Sequence, residues 1–404
     1  MHPAVIRILR LTLTILFAAL TVFIALHPYF QFLATSNYFV YTTFFSIVII
    51  HLRIRPRLND IVLLLLSTTA LVLLAAKMQT YHQLFHLALA IAGLSSLCIL
   101  AIKTLWAEGA ARNLLLWTCV PALLFVLSGW LTPPALHYLE ILRPQVLDLY
   151  LYSFDCSLGV QPSFWMGTLF LKWPAFHTVS VCCYISLSIV LAVVYAENLA
   201  RHKDRALSIL LAFLFCGPIG EVFYYLYPAL GPAHVFLREF PASPLPTHEV
   251  VHLLLQPIAL PGLRNAIPSL HMSWVLLAWW FSEGTSWICR AIAALFVIFT
   301  ISSTLGTGEH YLVDLVVAFP FTLFLLALFS LATPWSDPRR WTAALAGLIA
   351  TLAWFLLLRI GLRLVWISPV LPWTLCTVTV LGAILLRGRL AAAPQPPLAL
   401  GVPS

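Results

Sequence analysis

The sequence predicts an all-α integral membrane protein of about twelve transmembrane helices. Two observations carry this. Hydrophobic residues make up 62% of the 404 positions and charged residues only 9%, with a mean hydropathy of +0.98. An ordinary soluble domain carries about 25% charged residues, so no fold in water could hide this much apolar surface. The apolar residues also fall in separate runs, many near the ~20-residue length that crosses ~30 Å of hydrocarbon as a helix.

Twelve such runs lie at about 5–26, 38–52, 61–76, 84–102, 114–131, 175–195, 206–225, 270–287, 291–305, 311–331, 342–358 and 364–386. Arg7 and Arg10 precede the first run and no convincing cleavage site follows it, so it reads as a span rather than a signal peptide. Basic residues then mark alternate gaps: Arg53, Arg55 and Arg57; Lys103 and Arg112; Arg201, Lys203 and Arg205. Arg290, Arg339 with Arg340, and Arg387 with Arg389 continue the pattern. The positive-inside rule therefore places both termini in the cytoplasm, with Arg359 and Arg363 as the main exceptions. The net charge of +8 is accounted for by these short loops, and no nucleic-acid partner is expected. The eight Cys form no metal-binding spacing and read as small apolar packing residues.

Four regions follow: an N-terminal four-helix part at 1–111, a catalytic core at 112–333, a two-helix part at 334–390 and a disordered Pro- and Ala-rich tail at 391–404. Two outer segments within the core are long. The first, 132–174, mixes polar and aromatic residues and suggests amphipathic helices lying in the interface. The second, 228–268, is Pro-rich and reads as a lid or substrate-facing cap. The spans outside the core leave room for a homo-oligomer interface.

The costly residues gather in one stretch. Ionisable groups at membrane depth are functional hypotheses by default. Pro268 and Ser269 precede an apolar run, which is a helix start with Ser as N-cap. The N–H groups of such a first turn suit a phosphate. His271 falls in the same turn, and Arg264 upstream offers a charged fork to phosphate oxygens. His310 and Asp314 are four apart, which on a helix puts them on one face. The carboxylate would fix the tautomer and leave the other ring nitrogen as nucleophile. His271 would then protonate the leaving oxygen. One hydrophobic hairpin separates the two runs, so Ser269 and His310 are expected on the same, non-cytoplasmic face.

A single His near a helix end is commonly an interfacial residue, and Asp314 alone could be a structural carboxylate. The convergence of two His, one Asp, one Arg and a helix start at one depth favours catalysis. Asn265 and Asp155 are further substrate-binding candidates. Glu221 reads equally as a cation partner near the site and as a structural polar contact. Tyr227, with Tyr224 and Tyr225, reads as substrate-facing or as part of an aromatic belt.

Pro268-Ser269-Leu270-His271 resembles the second signature of the phosphatidic acid phosphatase type 2 superfamily, usually Pro-Ser-Gly-His, and His310-x-x-x-Asp314 resembles the third. The resemblance implies a six-helix membrane core at about 114–331. It implies that His310 attacks phosphorus to form a phosphohistidine, that Asp314 orients it, and that His271 protonates the leaving group. No metal or other cofactor is implied. The first signature, a Lys followed by an Arg-Pro pair, is absent from its place, and the third signature's Arg is here Thr304. These departures resemble the inositol phosphorylceramide synthase-like branch, as do the Tyr- and Pro-rich run 224–232, the Gly306–Asp314 segment and the stretch from Asp155 to Pro162. The expected function is a phosphotransferase moving a lipid phospho-headgroup, from a sphingolipid or phospholipid pool, to an alcohol. The alternative acceptor is water, which makes a lipid phosphatase. A transporter or flippase without chemistry would show paired broken helices in corresponding halves, and no such symmetry is visible.

Overall fold

The computed structural model describes residues 3–75, 81–245, 247–250 and 255–391. Its helices are, in order, α1 Pro3–Leu26, α2 Pro28–Ser36, α3 Tyr38–Arg53, α4 Leu58–Ala75, α5 Tyr81–Trp106 and α6 Gly109–Leu142. Then come α7 Asp148–Ser157, α8 Pro162–Lys172, α9 Pro174–Ile185, α10 Leu187–Leu199, α11 Lys203–Leu226, α12 Pro232–Phe236 and α13 Thr247–Val250. The chain closes with α14 Leu270–Phe281, α15 Trp287–Gly306, α16 Leu312–Leu328, α17 Pro338–Ile360, α18 Leu362–Val365 and α19 Val370–Ala391. A two-residue antiparallel ladder pairs Gln145–Val146 with Ile258–Ala259. The protein is an all-α membrane protein.

Each apolar run contributes a helix or a bent helix pair, but the span count changes. Among the described residues eight helices are long and apolar enough to cross a bilayer, or up to ten if the bent pairs α2–α3 (96°) and α9–α10 (55°) each count as one. The other two expected spans are α14 and α16, with 12 and 17 residues. At ~1.5 Å per residue α14 is about 18 Å long, short of ~30 Å. Its run was expected to reach 287; it stops because Ser282 to Ser286 form a polar turn with Gly284 at φ +75°. The tail expected at 391–404 lies outside the described residues from 392 onward.

Contacts divide the chain into two units, Met1–Pro133 with Ile185–Glu197, and Pro134–Tyr184 with Asn198–Ser404. The boundaries expected at 111/112 and 333/334 do not coincide with these. In the first unit α5 packs against α1, α2, α3 and α4. Polar pairs punctuate it: His51 Nδ1 lies 2.7 Å from Ser96 Oγ, and Lys103 pairs with Asp60.

In the second unit α16 is the central helix, in contact with α11, α14, α17 and α19 and buried along nearly its whole length. That fits its sequence, which is apolar on all sides. Its last two carbonyls are met by a buried arginine: Arg340 donates to Ala327 O (2.8 Å) and Leu328 O (2.8 Å), and also to Thr333 O (2.6 Å) in the turn beyond. A cation there also meets the negative end of the helix dipole.

The 132–174 segment differs from expectation. Helix α6 continues to Leu142, so residues 132–142 are not a loop. Helix α7 is no amphipathic surface helix: every residue except Leu149 is buried, Asp148 and Asp155 included. The second outer segment is tied down at its start, 228–232, where Leu230 and Gly231 donate to Asp148. Gly231, at φ +113°, lets the backbone pass so near Glu309 that an added Cβ would sit 2.3 Å from its carbonyl oxygen. Only glycine tolerates both the angle and the approach.

Replacing Arg340 by Met should strand the α16 carbonyls and destabilise the protein by about 1–3 kcal/mol. A thermal melt in detergent reads this as a lowered midpoint. Arg339→Met, on the neighbouring position but pairing only with Asp337 near the surface, should shift it far less.

Candidate active site

The site is assembled where two helices begin. Ser269 caps α14, its Oγ accepting the Met272 N–H at 3.3 Å. Pro268 before it cannot extend the helix backwards. His271 therefore occupies the first turn, as the sequence indicated. His310 sits on the short turn between α15 and α16. Its backbone is clamped from both sides, with its N–H donating to Thr304 O (3.1 Å) and Ser163 Oγ donating to its carbonyl (2.7 Å).

The two runs meet. His310 Nε2 lies 3.0 Å from Ser269 Oγ and its Nδ1 lies 3.4 Å from Asp314 Oδ2. The rings of His271 and His310 stand 6.2 Å apart, centre to centre, at 64°. The Ser269 N–H donates to the Asp314 carbonyl at 3.2 Å, which locks the starts of α14 and α16 together. The expected one-face pairing of His310 and Asp314 needs correction. Helix α16 starts only at Leu312, so His310 precedes it. The pair forms because Asp314, at the third helical position, reaches back over the cap, where its Oδ2 also accepts the Tyr311 N–H at 2.8 Å.

His271 is held by a residue the sequence reading did not single out. Tyr184, at the end of α9, places its hydroxyl 3.3 Å from His271 Nδ1 and packs its ring 4.2 Å from the imidazole. Trp274, one turn along α14, meets the same imidazole edge-on at 5.4 Å. No sequence spacing connects Tyr184 to His271, because 87 residues separate them.

Helix α7 supplies the supports. Asp155 accepts the Leu312 N–H (2.7 Å) and the Val313 N–H (3.2 Å), the first donors of α16. Asp148 accepts the Leu230 N–H (3.1 Å), the Gly231 N–H (2.8 Å) and the Tyr311 hydroxyl (3.4 Å). Both carboxyls are fully buried. Burial pushes Asp148 up to about 7, opposed by its N–H donors, and pushes Asp155 up to about 8 against the Leu312 and Val313 donors. Asp155 was expected to touch substrate; it is instead the N-terminal cap of the central helix. Asp148 was passed over, although an Asp inside Leu147-Asp148-Leu149-Tyr150 is itself the signal of a buried carboxylate needing donors.

Arg264 also needs correction. It is 1% exposed, and its guanidinium donates to the carbonyls of Arg143 (2.8 Å), Pro144 (2.8 Å), Leu260 (2.8 Å) and Gly262. Four of its five N–H groups are thus spent on clamping backbone, so it is a loop staple rather than a free phosphate fork. Among the described residues no lysine or arginine hydrogen-bonds to His310, Ser269 or Asp314. Asn265 is half-buried, and among the described residues only its backbone is hydrogen-bonded, to Leu263 O. Glu221, half-buried on α11, has neither an ion pair nor a hydrogen bond from its carboxylate among the described residues. Tyr227 is buried against Phe355, ring centres 5.2 Å apart, and lines a different cavity. Glu309 pairs with His234 at 3.9 Å, which ties α12 to the His310 turn.

Two outcomes test this arrangement. Asp155→Ala should leave two buried N–H groups at the start of α16 without an acceptor, costing about 1–3 kcal/mol in a detergent melt. Asp155→Glu should recover part of that loss. The second concerns pH. The neighbouring Glu309 carboxylate raises the His234 pKa above its ordinary 6.5. A raised folded-state pKa means the tie is fully present below about 6.5 and is lost as pH climbs through the raised value. Amide exchange at 232–240, corrected for the intrinsic rate, should therefore accelerate as pH rises through that region, and His234→Gln should remove the pH dependence.

No curated protein and no solved structure matches the chain. Residues 149–328, which run from α7 to the end of α16 and include Asp155, His271, His310 and Asp314, match the family model described as the PAP2 superfamily.

Proposed function

We propose that this chain is a membrane-embedded phosphotransferase that acts on a lipid phosphate or phosphodiester through a phosphohistidine. The observation that carries the reading is His310 set between Ser269 and Asp314, with the His271 ring 6.2 Å away. The two rings are close enough for one phosphorus to be approached by His310 while its leaving oxygen faces His271. In the first step the His310 Nε2 lone pair forms the N–P bond while the P–O bond to the leaving alcohol breaks. Asp314 accepts the Nδ1–H and stabilises the positive ring. The leaving oxygen takes its proton from His271, whose orientation is set through Nδ1 by Tyr184. In the second step His271 receives the proton of an incoming alcohol, whose oxygen attacks phosphorus and frees His310.

Without a free arginine, the phosphoryl charge falls to neutral donors: the first-turn N–H groups of α14, the Ser269 hydroxyl and the positive end of the helix dipole. The resemblance of 224–232 and 306–314 to the inositol phosphorylceramide synthase-like branch supports an alcohol acceptor over water. The loop charges support a site on the extracytoplasmic face, facing periplasm, lumen or exterior.

The test is purified protein incubated with a lipid extract, with products read by mass spectrometry. Wild type should yield a new phospho-headgroup lipid; release of inorganic phosphate alone would make it a phosphatase instead. His310→Ala should lower turnover by about 10³-fold or more. His271→Ala should lower it by about 10²–10⁴-fold, as expected for loss of a general acid. Undiminished lipid conversion by His310→Ala sinks the phosphohistidine reading, and lipid movement with no new product would indicate a transporter.

A further inference from the structure

One cavity of this unit has no part in the reaction above. It measures about 610 Å³, within the roughly 300–1,000 Å³ of small-ligand sites. It opens beside the C-terminal ends of α6, α11 and α17. Leu142, Leu226, Leu352 and Leu356 form its apolar part, and each is at least 42% exposed, as side chains facing lipid tails would be. Two cations, Arg143 and Arg359, line it as well.

Neither arginine has an acidic partner among the described residues. Arg143 lies over the Tyr225 ring at 4.9 Å and Arg359 over the Tyr150 ring at 4.8 Å. Aromatic faces hold a guanidinium in place while leaving its N–H fork available. Arg359 is also one of the two basic residues that the positive-inside pattern leaves unexplained. A third polar group lines the same wall: Tyr227 is 2% exposed, and its hydroxyl has no hydrogen-bond partner among the described residues. A buried hydroxyl left unpaired costs free energy unless a ligand completes it.

We propose that this cavity binds one anionic phospholipid, its phosphate bridging Arg143 and Arg359 and its acyl chains lying along the exposed leucines. Charge complementarity selects the occupant, since basic pockets between transmembrane helices take acidic headgroups and the apolar wall requires tails. The cavity borders the catalytic framework through two chain neighbours. Leu147 lines it and Asp148 follows; Pro228 lines it, and Leu230 and Gly231 donate to that Asp148. Occupancy therefore braces the α7 carboxylate that holds the 228–232 loop and Tyr311.

The test is native mass spectrometry of the detergent-purified protein given phosphatidylglycerol and phosphatidylcholine in equal amounts. Wild type should retain the anionic lipid by about tenfold over the zwitterionic one, the value of one charge-assisted contact. Arg143→Gln with Arg359→Gln should bring the ratio close to one, and the corresponding double Lys variant should keep most of it. His310→Ala should retain lipid like wild type, so failure here is separable from failure of the phosphotransfer reading. Equal retention of the two lipids by wild type, or a preference that survives the double Gln variant, overturns the proposal. Displacement of the lipid by millimolar inorganic phosphate overturns it too, because that would mark a site for the free anion.

Discussion

The structure depends on hydrogen-bonding side chains placed at both ends of one buried helix. Helix α16 begins and ends inside protein, where its first N–H groups and last carbonyls have no water to meet. Asp155 takes the Leu312 and Val313 donors, and Arg340 serves the Ala327 and Leu328 carbonyls. The Arg340 cation also meets the negative end of the helix dipole. Both side chains are buried, so each would be costly without these bonds. The arrangement fixes both ends of a 17-residue helix against its neighbours.

That placement sets up the chemistry. Asp314 lies at the third position of α16, so the cap geometry decides where its carboxylate points, and the same oxygen serves the Tyr311 N–H and faces His310 Nδ1. Helix α14 brings Ser269 to the other ring nitrogen. The backbone bond from Ser269 N–H to Asp314 O makes the two helix starts one piece, so neither imidazole can drift alone. Asp148 adds the loop 228–232 to this piece through Leu230 and Gly231. Two carboxylates on one short buried helix thus organise groups that come from residues 230 and 312.

For the proposed reaction the absence of a free arginine at the imidazoles has a physical consequence. Arg264 gives its hydrogen bonds to four carbonyls, and a staple so occupied has little left for a phosphate. A helix start and a hydroxyl are weaker electrostatic partners than a guanidinium, but within a buried site their dipoles are worth more than in water.

Much of this was legible in the sequence because it follows from local rules. Hydrophobic run length located the helices, Pro268-Ser269 marked the start of α14, and two His with an Asp in a greasy setting marked the site. What depends on which distant segments meet was not legible. The turn before α16, and not a helical face, pairs His310 with Asp314; Tyr184 reaches His271 across 87 residues; Arg264 is drawn into backbone; Asp155 becomes a cap. A sequence states which groups need partners, since burial cost belongs to the residue type. Only the packed chain decides which partner each one finds, because that choice is made by whichever N–H, carbonyl or ring the fold brings within about 3 Å.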